Sequence, residues 1–192
     1  MLHDSDFLQS HFEQGLTFAS FVNGLPLDQQ HSWHQRFLQL ELDTAQRSLV
    51  GDFTREMRIM SLTGPWCGES ALQGAALARI AEAAPDKIDL RFLPKDEAFA
   101  ELIIANMINA GTRVPITFLM AEDFEPCARI GDRSLSRYRS MARKALGEAA
   151  PVFAPPPEDP VRTVLQELLD EVERVQWMLR LSPRLQARHG EV

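Results

Sequence analysis

The spacing of apolar residues divides the chain into three stretches. Over residues 4–50 they recur at helical intervals, first as Phe7, Leu8, Phe12, Leu16 and Ala19, then as Trp33, Phe37, Leu40 and Thr44. This predicts two helices parted at Asn23-Gly24-Leu25-Pro26, a strong turn signal, with Asp28 placed to cap the second. Trp33 and the series Phe7, Phe12, Phe18 and Phe21 read as core.

The middle stretch, residues 52–148, alternates strand and helix patterns. Met57–Leu62 predicts a strand, and Cys67–Ala84 a helix with Leu72, Ala76, Ile80 and Ala83 on one face. Ile88–Leu93 alternates apolar and charged residues as a half-buried strand does. Phe99–Ile108 predicts a second helix closed by Ala110-Gly111. Ile116–Met120 is a continuous apolar run, the pattern of a strand covered on both faces. A turn at Glu122–Pro126 leads to a short strand, Cys127–Ile130. A last helix, Leu135–Leu146, has Ser134 to cap it and Gly147 to close it. The order β-α-β-α-β-β-α implies an α/β fold with one parallel pair and an appended antiparallel hairpin.

The third stretch opens on Pro151, Pro155, Pro156, Pro157 and Pro160, a stiff linker. An amphipathic helix follows from Val161 to Leu181. Its stripe of Val164, Leu165, Leu168, Leu169, Val172, Val175 and Leu179 must cover an apolar surface, either of its own domain or of a second copy in a homodimer. The division predicted is a helical extension over 1–51, an α/β domain over 52–150, and the linker with its helix over 151–192.

Composition narrows the function classes. The 192 residues carry a net charge of -7, which argues against nucleic acid and anionic membranes as general partners. No apolar run approaches the roughly 20 residues of a membrane span. The first residues lack a signal-peptide pattern, so a cytoplasmic location is expected. Two cysteines, Cys67 and Cys127, are too few for a disulfide framework or a cysteine-based zinc site. No metal site is expected, and His31 and His34 read as solvent-facing. Arg133, Arg137, Arg139, Arg143 and Lys144 read as a solvated face countering nearby acids, with an acidic partner as the alternative.

Cys67 carries the candidate chemistry. It stands between a strand and a helix, where unpaired N–H groups and the helix dipole favour a thiolate, the nucleophile of disulfide exchange. Glu69 adds a negative charge nearby and acts against this. Cys127 reads as a half-buried apolar residue, about 13 Å of extended chain away from the end of its strand, too far to pair with Cys67.

Trp66-Cys67-Gly68-Glu69-Ser70 resembles the Trp-Cys-Gly-x-Cys turn of the thioredoxin superfamily. Arg113-Val114-Pro115 before a strand is similar to that superfamily's cis-proline loop, and Gly131 to the glycine ending its last strand. The resemblance covers residues 52–148 and implies a thioredoxin-like fold. It further implies Cys67 as the catalytic nucleophile, and Val114, Pro115 and Gly131 as the groove for an extended client. Two departures bear on activity. Ser70 occupies the place of the resolving cysteine, and Ser61 that of a buried aspartate which assists it.

Cys67 could therefore form a mixed disulfide with a protein or small-molecule disulfide, or with an S-thiolated client, but not resolve it alone. The reading that follows is a monothiol thiol–disulfide oxidoreductase without a bound cofactor, resolved by glutathione or another low-molecular-weight thiol. A redox-inactive binding or scaffold module is the alternative. Another is a relative of the monothiol glutaredoxins, whose Cys-Gly-Phe-Ser turn Cys67–Ser70 resembles and which use glutathione and can share an iron–sulfur cluster. Thr112–Pro115 and Gly131-Asp132 are loosely compatible with a glutathione site. Trp66, Glu69 and the lack of a basic residue before the turn tell against it. A serine introduced at position 70 to trap mixed disulfides would give the same sequence.

Overall fold

The computed structural model describes residues 3–147 and 157–191. Pro151, Pro155 and Pro156 of the expected linker lie outside them. Four helices precede the first strand: α1 (Ser5–Phe12), α2 (Phe18–Asn23), α3 (Leu27–Gln39) and α4 (Thr44–Gly51). Each expected helix is thus two. The first is interrupted because Leu16 leaves the helical path and pairs as an isolated antiparallel bridge with Phe92. The second ends where Leu40 turns extended and buries itself with Leu42. Asp43 then starts α4 with a capping box, exchanging hydrogen bonds with Gln46. Asp28 does not cap α3. It sits within the first turn, and the cap position belongs to Pro26, one residue before the helix begins.

The expected strand–helix order follows: β1 (Met57–Thr63), α5 (Gly68–Ala83), β2 (Ile88–Pro94), α6 (Ala100–Ala105), β3 (Ile116–Ala121), β4 (Pro126–Ile130), α7 (Leu135–Leu146), α8 (Pro160–Arg180) and α9 (Pro183–Arg188). A short 3₁₀ turn, Glu97–Phe99, leads into α6. The strands form a sheet in the order β2-β1-β3-β4. β1 runs parallel to β2 and antiparallel to β3, and β3 and β4 form the hairpin.

Alternation along the strands sends side chains to two cores. Met57, Ile59, Leu90, Phe92 and Leu119 face α2–α5 and α8, while Met60, Leu62, Leu93, Phe118 and Met120 face α1 and α6. The stripe of α8 lies buried on its own chain, packed with α5. Gln176 of α8 makes two hydrogen bonds with the backbone of Arg55 just before β1, fixing that helix in register.

Trp33 is the point where the N-terminal helices meet the α/β sheet. It is fully buried among Phe21 and Phe92, at centroid distances of 5.1 and 5.9 Å. Its six-membered ring lies directly on α5 at Gly74, where a Cβ would stand 2.5 Å from Trp33 Cζ3. Only glycine admits that approach. Trp33→Ala is expected to lower stability by about 3–5 kcal/mol, the usual loss for a fully buried large aromatic residue. Urea unfolding followed by circular dichroism measures it, and a loss under about 1 kcal/mol would contradict this packing.

Candidate active site

β1 delivers the chain to a tight turn, Gly64-Pro65-Trp66, and Cys67 is the N-cap of α5. The turn closes with the Cys67 N–H donating to Gly64 O at 2.8 Å, and α5 begins with Ala71 N–H donating to Cys67 O at 3.0 Å. Cys67 makes no side-chain cap bond, and its residue stands at the end of α5 where the first-turn N–H groups lack helical partners. Helix ends of this kind stabilise negative charge. Cys67 Sγ lies 3.8 Å from Val114 O, directed at it as a donor. The Val114–Pro115 peptide is cis and precedes β3. Gly64 allows this convergence, since a Cβ there would lie 2.9 Å from Val114 Cγ2 and 3.3 Å from the Trp66 ring. Trp66 itself is 64% exposed and flanks the thiol.

Glu69 is buried in the first turn of α5, and Arg137 of α7 donates to its Oε1 through Nε at 2.7 Å and through a terminal nitrogen. That hydrogen bond, with the charge of Glu69, holds the Arg137 guanidinium more firmly protonated than usual. The negative charge expected to oppose a Cys67 thiolate is therefore met by a cation. Arg137 in turn depends on α7 being fixed. Ser134 occupies the N-cap position of α7 but makes no capping bond, its hydroxyl meeting that of Ser136 instead. The cap comes from α8: Glu167 accepts from Ser136 N–H at 2.9 Å and from the Ser136 hydroxyl at 2.6 Å.

Asp132, after Gly131 at the end of β4, ties the site together. It accepts from Arg113, Arg133 and the Tyr138 hydroxyl, while its backbone carbonyl accepts from Gln73 of α5. Burial alone would raise its carboxyl. The Tyr138 hydroxyl and the Arg113 and Arg133 guanidiniums outweigh this and hold it below the usual carboxylate range. The loop of Val114 and Pro115, through Arg113, and α7, through Tyr138, thus share one buried anion, and α5 holds the same residue by its backbone carbonyl.

A family profile described as thioredoxin matches residues 15–144. The chain belongs to the thioredoxin family. Two solved structures share its architecture at 19% identity. One is a protein of unknown function from Pseudomonas aeruginosa, with a TM-score of 0.59 and coverage of 83% of this chain and 95% of that one. The other is an HIV epitope-scaffold, with a TM-score of 0.60 and coverage of 83% and 96%. Both show the fold alone. No curated protein matches the sequence.

Within this thioredoxin-like fold the two departures have structural roles. Ser70 is fully buried, and its Oγ accepts from Gly64 N–H at 3.1 Å, fastening the turn to α5. Ser61 pairs with Thr117 across β1 and β3 at 3.0 Å, both hydroxyls buried. Among the described residues Cys67 and Cys127 are both free. Cys127 lies at the β-bulge between Leu119 and Met120, with its Sγ donating to Glu125 O, and burial pushes its thiol up. His31 and His34 are exposed on α3, and no cluster of metal-binding side chains occurs among the described residues. No described helix is long and apolar enough to cross a membrane.

The face expected on α7 is solvated only in part, and two of its cations do counter nearby acids. Arg143 and Lys144 are exposed, but Arg133 and Arg137 are only partly so and are bound to Asp132 and Glu69. Sequence spacing carries no signal for these pairings, which join residues from different elements. Asp132→Asn is expected to lower stability by about 1–3 kcal/mol at neutral pH, through loss of hydrogen bonds to charged donors. Because the folded carboxyl lies low, this difference is fully present above an unfolded value of about 3.9 and shrinks as pH falls through the folded one. Urea midpoints of both proteins between neutral and acid pH measure it. A difference that does not narrow in acid would contradict the assignment.

Proposed function

We propose that Cys67 is the single redox-active thiol of a monothiol thiol–disulfide oxidoreductase. The observation that carries this reading is its position as the uncapped N-cap of α5 next to the cis Val114–Pro115 peptide, with the nearby Glu69 charge matched by Arg137. The Cys67 thiolate attacks one sulfur of a disulfide R–S–S–R′, forms Cys67–S–S–R and releases R′–S⁻. An external thiolate such as that of glutathione then attacks the mixed disulfide. Cys67 leaves as thiolate, and R joins the incoming sulfur in a new disulfide. R′ is reduced at this stage, and a second small thiolate attacks the new disulfide and releases R as thiolate, so the client is fully reduced and two small thiols are oxidised to their disulfide.

Ser70 supports the external step, because a hydroxyl cannot attack a disulfide and this one is already bonded to Gly64 N–H. Val114, Pro115, Gly131 and the exposed Trp66 are the residues against which an extended client would lie. Incubation of the reduced protein with glutathione disulfide is expected to give a one-to-one adduct that peptide mapping places on Cys67. Cys127, with its raised thiol, is expected to react at least about tenfold more slowly. Excess glutathione removes the adduct. Ser70→Cys is expected to replace that stable adduct with an internal disulfide, seen as the loss of two hydrogens in intact mass. Adduct formation no faster than in Cys67→Ser would refute the reading and leave a binding module.

A further inference from the structure

Beside Cys67 lies a cavity of about 270 Å³, walled by α3, the first turn of α5, α7 and the start of α8. Arg36, Arg133 and Arg137 line it, together with Glu69, Leu72 and the Cys67 turn itself. Three guanidiniums face one carboxylate, so the cavity is positive in a chain whose net charge is -7. Val114, Pro115 and Trp66 are absent from its walls, so it is separate from the face on which an extended client would lie.

The arginines keep donors to give. Among the described residues Arg36 bonds only Gln39, through one nitrogen, Arg133 holds Asp132 through one, and Arg137 uses two nitrogens on Glu69. Glu69 is more than nine-tenths buried and holds Arg137, and its Oε2 is closed to solvent and so to a ligand. Guanidiniums with free N–H groups bind carboxylates by charge-assisted, often bidentate bonds. A small molecule that ends in a carboxylate matches these donors. Small-molecule sites are typically about 300–1,000 Å³. This cavity, at the lower end, suits one such group and not a folded chain.

We infer that this cavity is the subsite for the carboxylate-bearing end of a low-molecular-weight thiol or disulfide whose sulfur reacts at Cys67. The inference rests on the proposed exchange at Cys67 and adds what recognises the small reactant. Arg36 and the terminal nitrogens of Arg133 and Arg137 that are not engaged with Asp132 or Glu69 take the carboxylate. The reacting sulfur is thereby presented to Cys67 Sγ from the side away from Val114. Binding the small thiol here leaves the Trp66 and Pro115 face to the client.

The test uses the full chain and Arg36→Gln, which keeps the length of the stem and removes the charge. Rates of adduct formation at Cys67 are measured by intact mass with glutathione disulfide (anionic), bis(2-hydroxyethyl) disulfide (neutral) and cystamine (cationic). Each is expressed as the ratio of wild type to variant, so the intrinsic reactivity of each probe cancels. The ratio is expected to be at least about fivefold for glutathione disulfide, falling toward one in 0.5 M salt, and near one for the neutral probe. For cystamine it is expected below one. Equal ratios for all three probes would overturn the inference. If no disulfide reacts, the exchange reading falls, and binding of S-methylglutathione, which cannot exchange, decides the subsite separately. Saturable binding seen by NMR and lost in Arg36→Gln keeps the cavity as a carboxylate site, and no binding overturns it.

Discussion

The hydrogen bond from the Trp33 indole to the Pro65 carbonyl, 2.9 Å long, joins the N-terminal helices to the turn that carries Cys67. Pro65 lies in the middle of that turn, so its carbonyl orientation and the entry into α5 are set together. The donor cannot move independently. Its ring is fully buried, pressed on Gly74 and wedged between Phe21 and Phe92. A buried carbonyl left without a donor costs about 1–3 kcal/mol, comparable to a sizeable part of a domain's net stability. The position of the cysteine therefore depends on side chains more than thirty residues before it.

A second set of constraints acts from the other end of the chain. Glu167 caps α7, and α7 presents Arg137 to Glu69 at the first turn of α5. Each step is a charge-assisted bond to a partly or fully buried group, where attraction is greater than in water. Removing Arg137 would leave the Glu69 charge buried and unmatched, a far worse state than an exposed pair being lost. The pair is thus a condition for keeping an acid at the third position of the turn. With it in place, the helix N-terminus and the neighbouring guanidiniums define the local charge, and the net acidity of the chain does not.

The strands and α5 were legible in the sequence because their signals are local. Ile116–Met120 is apolar without a break, Ile88–Leu93 alternates, and Pro85 follows α5 at once. The motif at Cys67 and the proline at 115 marked the site for the same reason. The N-terminal stretch was legible only in part. The apolar stripe from Phe7 to Ala19 is compatible with one helix, and what divides it is the pairing of Leu16 with Phe92, a contact across more than seventy residues. Leu40 likewise fits a helical stripe but reaches the core better from an extended backbone. The electrostatics of the site were not legible. Arg137, Arg133 and Arg36 look like ordinary surface charges until Glu69, Asp132 and Cys67 are brought beside them by α7 and α3.

Ser70 shows why the two missing resolving groups belong to one structural solution. At this fully buried position the side chain must satisfy the Gly64 N–H, or that donor is orphaned at the base of the turn. Sulfur is a weak acceptor, and a hydroxyl oxygen is a strong one. A serine therefore fixes the turn more firmly than a second cysteine would. The same logic applies at Ser61. A carboxylate there would lie between the two cores beside Thr117, desolvated and without a cation among the neighbours named. The Ser61–Thr117 pair satisfies both hydroxyls with no charge to bury. Without a second thiol there is no internal proton transfer for a buried acid to assist, so nothing offsets its desolvation. The sheet interior and the turn thus favour hydroxyls together, and Cys67 is the one side chain of the turn that carries a thiol.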